Sequence, residues 1–323
     1  MNVKNLFIGF KTYMGKMKVL NGVDFSVSEK EKVGIIGESG CGKTTTMKAI
    51  LGILASNAVI GGGDIRFRGH DMLGIHKKEL NEIRRKNLTM IFQDPTAALN
   101  PVFKIESILG DVIKYSGSFD HQKATKKLLR EKSIEALKEV SLPDPERVLD
   151  SYPFQLSGGM RQRVCIAMSL ATAKDLLIAD EPTTNLDVTI QDQVLRLMKE
   201  LVDKKNLSII LISHALGAVR DTVDTVYVMY AGAMIETAKT QEIFSHPLHP
   251  YSQGLLASVP KLTGAGFSKG IEGRIPDYIT PPPGCRFNPR CKYAMEICRK
   301  ESPQLLKVDS ENHKVACWLY IKR

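Results

Sequence analysis

Apolar and polar residues alternate over much of the first 32 residues of the chain, as Val23, Phe25 and Val27 illustrate. Alternation of this kind is typical of strands that bury one face and expose the other. The opening of the chain is therefore predicted to form β-hairpins.

Three later runs, at residues 33–36, 176–181 and 208–213, are apolar at most positions. A strand in the middle of a parallel sheet is buried on both faces and needs such a run. A shorter apolar run, at 88–93, predicts a further strand. Since helical patterns separate these runs, the sequence predicts an α/β protein.

Helical patterns fill the region between residues 96 and 172, with segments near 105–114 and 121–140 and prolines that break the chain after them. This region is predicted to be a helical insertion within the α/β protein. The triplet Gly61-Gly62-Gly63 predicts a loop, followed by a strand from Asp64 to Arg68.

The chain has 323 residues, of which 43% are hydrophobic and 25% charged, as in ordinary globular proteins. No apolar run approaches the roughly 18 residues of a membrane span, and the first residues do not resemble a signal peptide. We expect a cytosolic protein, unless partners hold it at a membrane. The net charge of +10 suggests an anionic partner. The sequence lacks the basic stripe interleaved with aromatic residues that proteins use to bind single-stranded nucleic acid.

The stretch Gly37-Glu38-Ser39-Gly40-Cys41-Gly42-Lys43-Thr44 lies between an apolar run and a helical pattern that begins at Thr45. It satisfies the pattern G-x-x-x-x-G-K-[ST], in the strand, loop and helix order that this motif requires. The N–H groups of such a loop turn inward around phosphate oxygens, and the helix start adds its positive dipole end. Lys43 would reach the outer phosphates and Thr44 would hold Mg²⁺. We therefore predict a nucleoside triphosphate site at residues 39–45.

Two carboxylates, Asp180 and Glu181, end the second apolar run. Ligands of open α/β sheets sit at the C-terminal ends of the strands. Asp180 is therefore predicted to hold Mg²⁺, and Glu181 to polarise an attacking water. His214 directly follows the third run, where a histidine would face the same edge.

Ser157 is placed to cap a helix that begins with Gly158 and Gly159. Backbone N–H groups at such a helix start can form a second anion site, although Ser-Gly-Gly is also a common loop sequence. Tyr13 precedes the phosphate loop. It could stack on an adenine ring or be a half-buried strand residue, and its spacing leaves both readings open.

The phosphate loop, Gln93, Leu156-Ser157-Gly158-Gly159, Asp180-Glu181 and His214 have the order and spacing of ABC transporter nucleotide-binding subunits, which the chain resembles over about residues 5–235. Further motifs resemble the peptide and nickel importer branch of that family. They are Ile91-Phe92-Gln93-Asp94-Pro95, Leu99-Asn100-Pro101, Tyr152-Pro153, Met160-Arg161-Gln162-Arg163, Pro247-Leu248-His249-Pro250-Tyr251 and Gly284-Cys285-Arg286-Phe287-Asn288-Pro289-Arg290-Cys291.

The resemblance implies a RecA-like P-loop ATPase core with an antiparallel β subdomain, an inserted helical subdomain and a small cysteine-rich extension. The ATPase domain would span residues 1–240, with the helical subdomain at about 96–172. Residues 241–323 would form the extension, which we call the C-terminal extension. The implied activity is Mg²⁺-dependent ATP hydrolysis that powers import of dipeptides or oligopeptides, with nickel or small sugars as alternatives.

By the same resemblance, two ATPase subunits close head to tail, and each ATP lies between the phosphate loop of one and Ser157-Gly158-Gly159 of the other. The second subunit would be a related chain or another copy of this one. The implied partners are two transmembrane permease subunits and, indirectly, an extracytoplasmic solute-binding protein, with no nucleic acid. The implied location is the cytoplasmic face of the cell membrane. Tyr13 would stack on adenine, Gln93 would contact Mg²⁺ and water, and His214 would contact the γ-phosphate.

Two positions depart from the family's usual residues, Asn185 in place of alanine and Ala215 in place of aspartate. Neither removes a catalytic group, so hydrolysis is still expected. Soluble ABC ATPases of DNA repair or translation are a rival class. They usually carry a long coiled-coil insertion or two ATPase units in one chain, and this sequence has one phosphate loop and a short insertion.

Four of the six cysteines, Cys285, Cys291, Cys298 and Cys317, lie near the C-terminus. In a cytosolic protein such a cluster favours a metal site over disulfides. The spacing lacks the Cys-x-x-Cys pairs of structural zinc sites. The family resemblance favours a [4Fe–4S] cluster, and the alternatives are Zn²⁺ or cysteines that are unligated or disulfide-linked. A regulatory protein whose cysteines sense redox state is a further rival class. Every residue assigned to phosphate lies before position 215, so we expect ATP hydrolysis largely to survive loss of a cluster bound by these cysteines.

Overall fold

A computed structural model of the chain describes residues 1–116, 124–184, 186–258, 270–308 and 312–321. Asn185 and the predicted helix start at His121 lie outside the described residues. The chain divides into two compact units. Unit 1 comprises residues 1–28, 33–74 and 214–323, and unit 2 comprises residues 29–32 and 75–213.

Within the described residues the strands are β1 (Asn2–Thr12), β2 (Gly15–Ser26), β3 (Lys32–Ile36), β4 (Ala58–Phe67), β5 (His70–Asp71), β6 (Leu88–Ile91), β7 (Leu176–Asp180), β8 (Ser208–Ile212), β9 (Thr225–Tyr230), β10 (Ala233–Lys239), β11 (Leu306–Lys307) and β12 (Lys314–Val315). The helices are α1 (Lys43–Ile50), α2 (Lys77–Asn87), α3 (Pro95–Ala98), α4 (Ile105–Tyr115), α5 (Lys126–Glu139), α6 (Pro145–Asp150), α7 (Gly158–Thr172), α8 (Val188–Lys204), α9 (Leu216–Thr222), α10 (Thr240–Ser245) and α11 (Pro250–Ala257). In the part of the chain that the structure describes, none of these helices combines the length and apolarity needed to cross a bilayer.

An antiparallel sheet in unit 1 has the strand order β2-β1-β4-β5. Its first two strands form a hairpin in which Asn2 pairs with Ser26 and Thr12 with Gly15. Apolar residues of this hairpin, such as Ile8 and Val23, are fully buried. The β-hairpin predicted from alternation is thereby confirmed.

The triplet Gly61-Gly62-Gly63 lies inside β4, so the predicted loop is wrong. Where β4 passes β1, the register shifts between Lys4 and Phe7, and φ is +152° at Gly62 and +100° at Gly63. A Cβ on Gly63 would lie 2.4 Å from the carbonyl oxygen of Asn5. Because glycine tolerates this close backbone approach, the strand continues through an irregularity that other residues would interrupt.

A second sheet in unit 1 has the strand order β11-β12-β10-β9-β3. β3 runs parallel to β9, with Val33 opposite Thr225, and leads directly into the phosphate loop and α1. The C-terminal extension supplies β11 and β12, and Val315 of β12 pairs with Glu236 of β10. The extension is therefore hydrogen-bonded into the sheet that carries the phosphate loop.

The buried side chain of Glu236, in β10, links several segments of unit 1 by hydrogen bonds. Glu236 is fully buried and accepts hydrogen bonds from the backbone N–H groups of Leu248 and His249, at 2.7 and 2.9 Å. Its other contact is with Nε2 of His313, at 2.7 Å. Since a buried carboxylate is costly unless it is hydrogen-bonded, these three contacts keep the polypeptide on both sides of β10 in place.

Unit 2 contains the parallel strands β6, β7 and β8 in the order β8-β7-β6. Every residue of β7 and β8 is buried, as the continuous apolar runs predicted. Between β6 and β7 the chain forms α3 to α7, so the helical insertion is confirmed. One detail differs, because α6 forms where prolines predicted only a break. Asp144 caps α6 by accepting from Arg147 N–H, and Pro145 occupies the first turn, where proline is tolerated.

Candidate functional site

The predicted phosphate loop joins β3 to α1 in unit 1, and its glycines adopt conformations that other residues rarely reach. The φ angle is +154° at Gly37, +80° at Gly40 and +111° at Gly42. A Cβ on Gly37 would lie 2.1 Å from the carbonyl oxygen of Met229, whereas a Cβ on Gly40 would meet nothing within 4 Å. The loop is thus tightly packed at Gly37 and open at Gly40, so a ligand could approach its backbone at Gly40.

Lys43 opens α1, and its side chain turns back into the loop. It is 4% exposed, and Nζ donates to the carbonyl oxygens of Gly37 and Glu38 at 2.8 and 3.0 Å. Thr44 and Thr45 are half-buried, whereas Ser39 and Gly40 are exposed. Cys41 is buried, which raises the pKa of its thiol and keeps it protonated. The structure therefore places Ser39 to Thr45 in the loop and the first turn of α1, and buries the ammonium of Lys43 there.

In unit 2, Glu181 directly follows β7 and is held in a defined orientation. Its φ of +48° is uncommon for a residue other than glycine. Its Oε2 accepts hydrogen bonds from Gln93 Nε2 at 2.9 Å and from Thr184 Oγ1 at 3.1 Å. The structure thus brings together two predicted site residues, Gln93 and Glu181, and Asp180 lies beside them at the buried end of β7, 2% exposed.

The predicted helix start at Ser157 is present. Ser157 caps α7 by accepting a hydrogen bond of 3.3 Å from the N–H of Met160. Ser157 is exposed, and Gly158 and Gly159 are half-buried beside the first turn of α8, where a Cβ on Gly159 would lie 3.2 Å from Ile190. The 15-residue helix therefore presents its N-terminus at the surface of unit 2.

Two further predicted site residues lie at the surface of unit 1. Tyr13 is 99% exposed in the turn between β1 and β2. The half-buried strand reading of Tyr13 is therefore wrong, and its ring is available to a ligand. His214 is exposed two residues after β8 ends.

The four cysteines of the C-terminal extension do not form the predicted metal centre. They line one small cavity of about 20 Å³, which has room for about one water. Burial raises the pKa of Cys285 and of Cys317 to about 11, so both are neutral thiols. Over the described ranges, no three His, Cys, Asp or Glu side chains are grouped to hold a metal ion. The prediction of a [4Fe–4S] cluster, or of Zn²⁺, at Cys285, Cys291, Cys298 and Cys317 is therefore wrong. Cys317 instead packs with Leu248 and Val315 in a small apolar cluster.

The sequence analysis missed a set of residues in the C-terminal extension that contact the phosphate loop. Arg290 forms an ion pair with Glu38, Tyr278 donates to the carbonyl of Gly40, and Tyr251 accepts from the N–H of Glu38. These partners are more than 200 residues apart in sequence. Arg290 stands in a motif that resembles the peptide importers, but nothing in the spacing of that motif linked it to the phosphate loop.

The residues present fit a nucleoside triphosphate and a magnesium ion. The open glycine loop and the buried Lys43 ammonium suit phosphate oxygens. In unit 1, Thr44 offers a hydroxyl oxygen. In unit 2, Gln93 and Asp180 offer amide and carboxylate oxygens. All three are hard donors of the kind that Mg²⁺ prefers.

Comparison with known proteins agrees with this chemistry. Residues 20–184 match the family described as "ABC transporter", and residues 235–298 match "Oligopeptide/dipeptide transporter, C-terminal region". The chain is 45% identical to the Bacillus subtilis (strain 168) protein named "Dipeptide transport ATP-binding protein DppD", over 100% of this chain and 95% of the relative. It is 44% identical to "Oligopeptide transport ATP-binding protein OppD" of the same organism, over 99% of this chain and 88% of the relative.

The fold is also similar to that of solved ATP-binding cassettes. A dimeric, post-hydrolysis cassette bound to ADP and Pi superimposes with a TM-score of 0.65 at 24% identity, covering 74% of this chain and 98% of the other. This likeness supports the fold class predicted from the sequence. The two family matches and the two relatives, which align over nearly their whole length, show that the chain belongs to the ABC transporter family and carries the C-terminal region of its oligopeptide and dipeptide transporters.

Proposed function

We propose that this chain is the ATP-hydrolysing, nucleotide-binding subunit of an importer that moves dipeptides or oligopeptides through a membrane permease. The observation that carries the proposal is the glycine loop around the buried Lys43, at the start of α1. The peptide solute follows from the names of the relatives and from the match over residues 235–298.

Phosphoryl transfer depends on positioning and on neutralising charge more than on covalent chemistry. We assign phosphate binding to the N–H groups of residues 39–45 and to the ammonium of Lys43, and adenine stacking to Tyr13. Glu181 would hold the attacking water in line with the γ-phosphate, and His214 would contact that phosphate. The two hydrogen bonds to Glu181 Oε2 support this role, because they limit where the carboxylate can point.

Thr44, Gln93 and Asp180 are the residues that we assign to Mg²⁺. When bound, Mg²⁺ would supply positive charge to the phosphate oxygens. The burial of Asp180 supports this assignment, since a carboxylate in a low-dielectric site attracts a cation more strongly than an exposed one.

The working assembly in this proposal is a dimer of ATPase subunits, either two copies of this chain or this chain with a related one. Ser157, Gly158 and Gly159 would bind the ATP held by the other subunit. The exposed N-terminus of α7 supports this, since such an N-terminus attracts anions. A solved cassette with the same fold is itself described as dimeric.

The further partners are two transmembrane permease subunits and, indirectly, an extracytoplasmic solute-binding protein, which places the chain at the cytoplasmic face of the membrane. We assign residues 1–240 to the ATPase domain and 241–323 to the C-terminal extension. Within the ATPase domain, the helical subdomain at about 96–172 is assigned to the surface that receives the permease. No nucleic acid takes part.

The proposal is tested on the native complex. The tagged chain is purified from membranes with its attached subunits and placed in liposomes with a solute-binding protein from the same source. We expect ATP-dependent uptake of labelled di- and tripeptides, and its loss when the chain carries Glu181→Gln. Uptake of nickel or of sugars instead of peptides would show that the proposed solute is wrong and would leave the transport role intact. Purification with ribosomes or DNA, and without membrane subunits, would overturn the transport role.

A further inference from the structure

The phosphate loop is contacted from outside by the C-terminal extension, most closely through Arg290 and Glu38. Nη1 of Arg290 lies 2.9 Å from Oε2 of Glu38, and Nη2 lies 3.0 Å from Oε1. This is the forked, two-bond geometry in which arginine binds carboxylates most strongly. The Arg290 side chain is 6% exposed and that of Glu38 27%. Burial disfavours the charge on Arg290, but its hydrogen bonds to Glu38 outweigh this and raise the pKa of the guanidinium.

All the donors of Arg290 are engaged in holding structure. A guanidinium has five N–H donors. Besides the two bonds to Glu38, Nε donates to the carbonyl of Glu272 at 2.8 Å, Nη1 to the hydroxyl of Tyr230 at 3.3 Å, and Nη2 to the carbonyl of Ile271 at 3.2 Å. No donor is left over to bind a phosphate. Arg290 therefore acts on a ligand of the loop through Glu38, as a positioning residue.

Glu38 is fixed through its backbone as well as its side chain. Its N–H donates to the hydroxyl of Tyr251 at 2.8 Å, and its carbonyl accepts from Lys43 Nζ at 3.0 Å. Tyr251 is fully buried and packs against the rings of Tyr230 and Phe287. The second residue of the phosphate loop is thus held at its N–H, its carbonyl and its carboxylate.

A second tyrosine of the extension holds the middle of the loop. The hydroxyl of Tyr278 donates to the carbonyl of Gly40 at 2.7 Å. Because a peptide unit is planar, fixing this carbonyl also fixes the direction of the next N–H group, that of Cys41. Gly40 has a φ of +80°, in a region that glycine leaves easily. The hydroxyl of Tyr278 therefore restrains the most adaptable residue of the loop.

From these contacts we infer that the C-terminal extension pre-organises the phosphate loop for nucleotide, with Arg290 and Tyr278 as positioning residues. Two effects combine. A loop that is already ordered loses less conformational freedom on binding, so its affinity for the ligand is higher. In addition, Arg290 neutralises the carboxylate of Glu38, which would otherwise repel phosphate.

The inference rests on the proposed nucleotide site and adds a coupling to it. Because linkage is reciprocal, bound nucleotide must strengthen the docking of the extension by the same free energy by which docking strengthens nucleotide binding. The expectation from the sequence concerned only the four cysteines. The contacts of Arg290 and Tyr278 make nucleotide binding depend on other residues of the same extension.

The test measures the purified full-length chain in two ways. Binding of a fluorescent ATP analogue gives the affinity, and hydrogen exchange of residues 38–43 without nucleotide gives the order of the loop. We expect Arg290→Ala to weaken binding about tenfold, or about 1.4 kcal/mol, and to speed exchange in the loop. Arg290→Lys keeps the positive charge but loses the forked geometry. Its affinity and its exchange rate should lie between those of the wild type and those of Arg290→Ala.

A double variant separates the two effects. Glu38→Gln combined with Arg290→Ala removes the repelling carboxylate, so binding should recover in part, while exchange in the loop stays fast. Arg299→Ala, an exposed arginine of the same extension, is the matched control and should change neither measurement. If Arg290→Ala does not fold, Tyr278→Phe tests the same inference by removing one hydroxyl.

Three outcomes would overturn the inference: unchanged affinity and exchange in Arg290→Ala, tighter binding in that variant, or an equal effect of Arg299→Ala. Failure of the wild-type chain to bind any nucleotide would instead contradict the proposed function. Exchange in the nucleotide-free loop would still decide whether the extension orders it.

Discussion

The side-chain amide of Gln93 donates a hydrogen bond of 2.9 Å to the carboxylate of Glu181. The two residues are 88 positions apart in the chain, at the ends of neighbouring parallel strands β6 and β7. Since the amide nitrogen faces Glu181, the amide oxygen of Gln93 points elsewhere. One side chain thus orients a carboxylate through its nitrogen, and its oxygen is the atom that we propose as a Mg²⁺ ligand.

This geometry makes Glu181 the group whose loss should stop hydrolysis without preventing binding. Glu181→Gln keeps the shape and an oxygen that can accept from Gln93, but removes the negative charge that acts on water. We expect turnover of Mg²⁺-ATP to fall about 10²-fold or more, with the affinity for ATP unchanged. Phosphate release and equilibrium binding measure the two quantities. The exposed Glu200→Gln on α8 is the control, and near-normal turnover in Glu181→Gln would remove Glu181 from the role.

Lys43 is expected to act on binding itself. Its ammonium is the buried cation of the phosphate loop, so Lys43→Ala should weaken binding of ATP about tenfold or more, the equivalent of roughly 1.4 kcal/mol. Equilibrium dialysis with labelled ATP measures this. Lys48→Ala changes an exposed lysine of the same helix and should leave binding intact. Equal losses in the two variants would point to helix damage and not to a phosphate contact.

The exposed start of α7 predicts a composite site. In the Glu181→Gln background, ATP should convert the chain to a dimer, alone or when mixed with a related subunit, as light scattering would detect. Adding Ser157→Glu places a negative charge where a phosphate would bind and should abolish the dimer. Adding Ser107→Glu instead, at an exposed site on α4, should not. If the chain stayed monomeric with ATP, both alone and with every related subunit tested, the composite site would be wrong.

His249 predicts how the stability of unit 1 depends on pH. Burial lowers the pKa of His249 to about 3, against about 6.5 in an unfolded chain. Between these values the unfolded chain binds the extra proton, so stability is complete above about pH 6.5 and falls as the pH drops, by up to about 1.4 kcal/mol per pH unit.

The neutral ring accepts the N–H of Tyr251 at the start of α11, and asparagine can cap a helix in the same way. His249→Asn should therefore flatten the loss of stability between pH 6.5 and 4.5 in urea unfolding of the full chain. His246→Asn, at an exposed position nearby, is the control. Identical slopes for wild type and His249→Asn would contradict the assignment.

Much of the nucleotide site could be predicted from sequence because its parts are local. The phosphate loop lies within eight residues, the cap of α7 joins Ser157 to Met160, and the apolar run of β7 places Asp180 and Glu181 at a strand end. Each depends on backbone preferences, helix caps or strand periodicity, which act over a few residues. The same holds for the hairpin of β1 and β2.

Only the tertiary structure decided the rest. Gly61-Gly62-Gly63 looks like a loop in isolation, but pairing with β1 makes it part of a strand. The clustering of four cysteines near the C-terminus suggested a metal, but in the folded chain these half-buried and buried thiols line a cavity with room for about one water. The pair Arg290–Glu38 joins residues 252 positions apart. Contacts between such distant residues depend on how the sheets and the extension pack, which is information that no short stretch of the sequence contains.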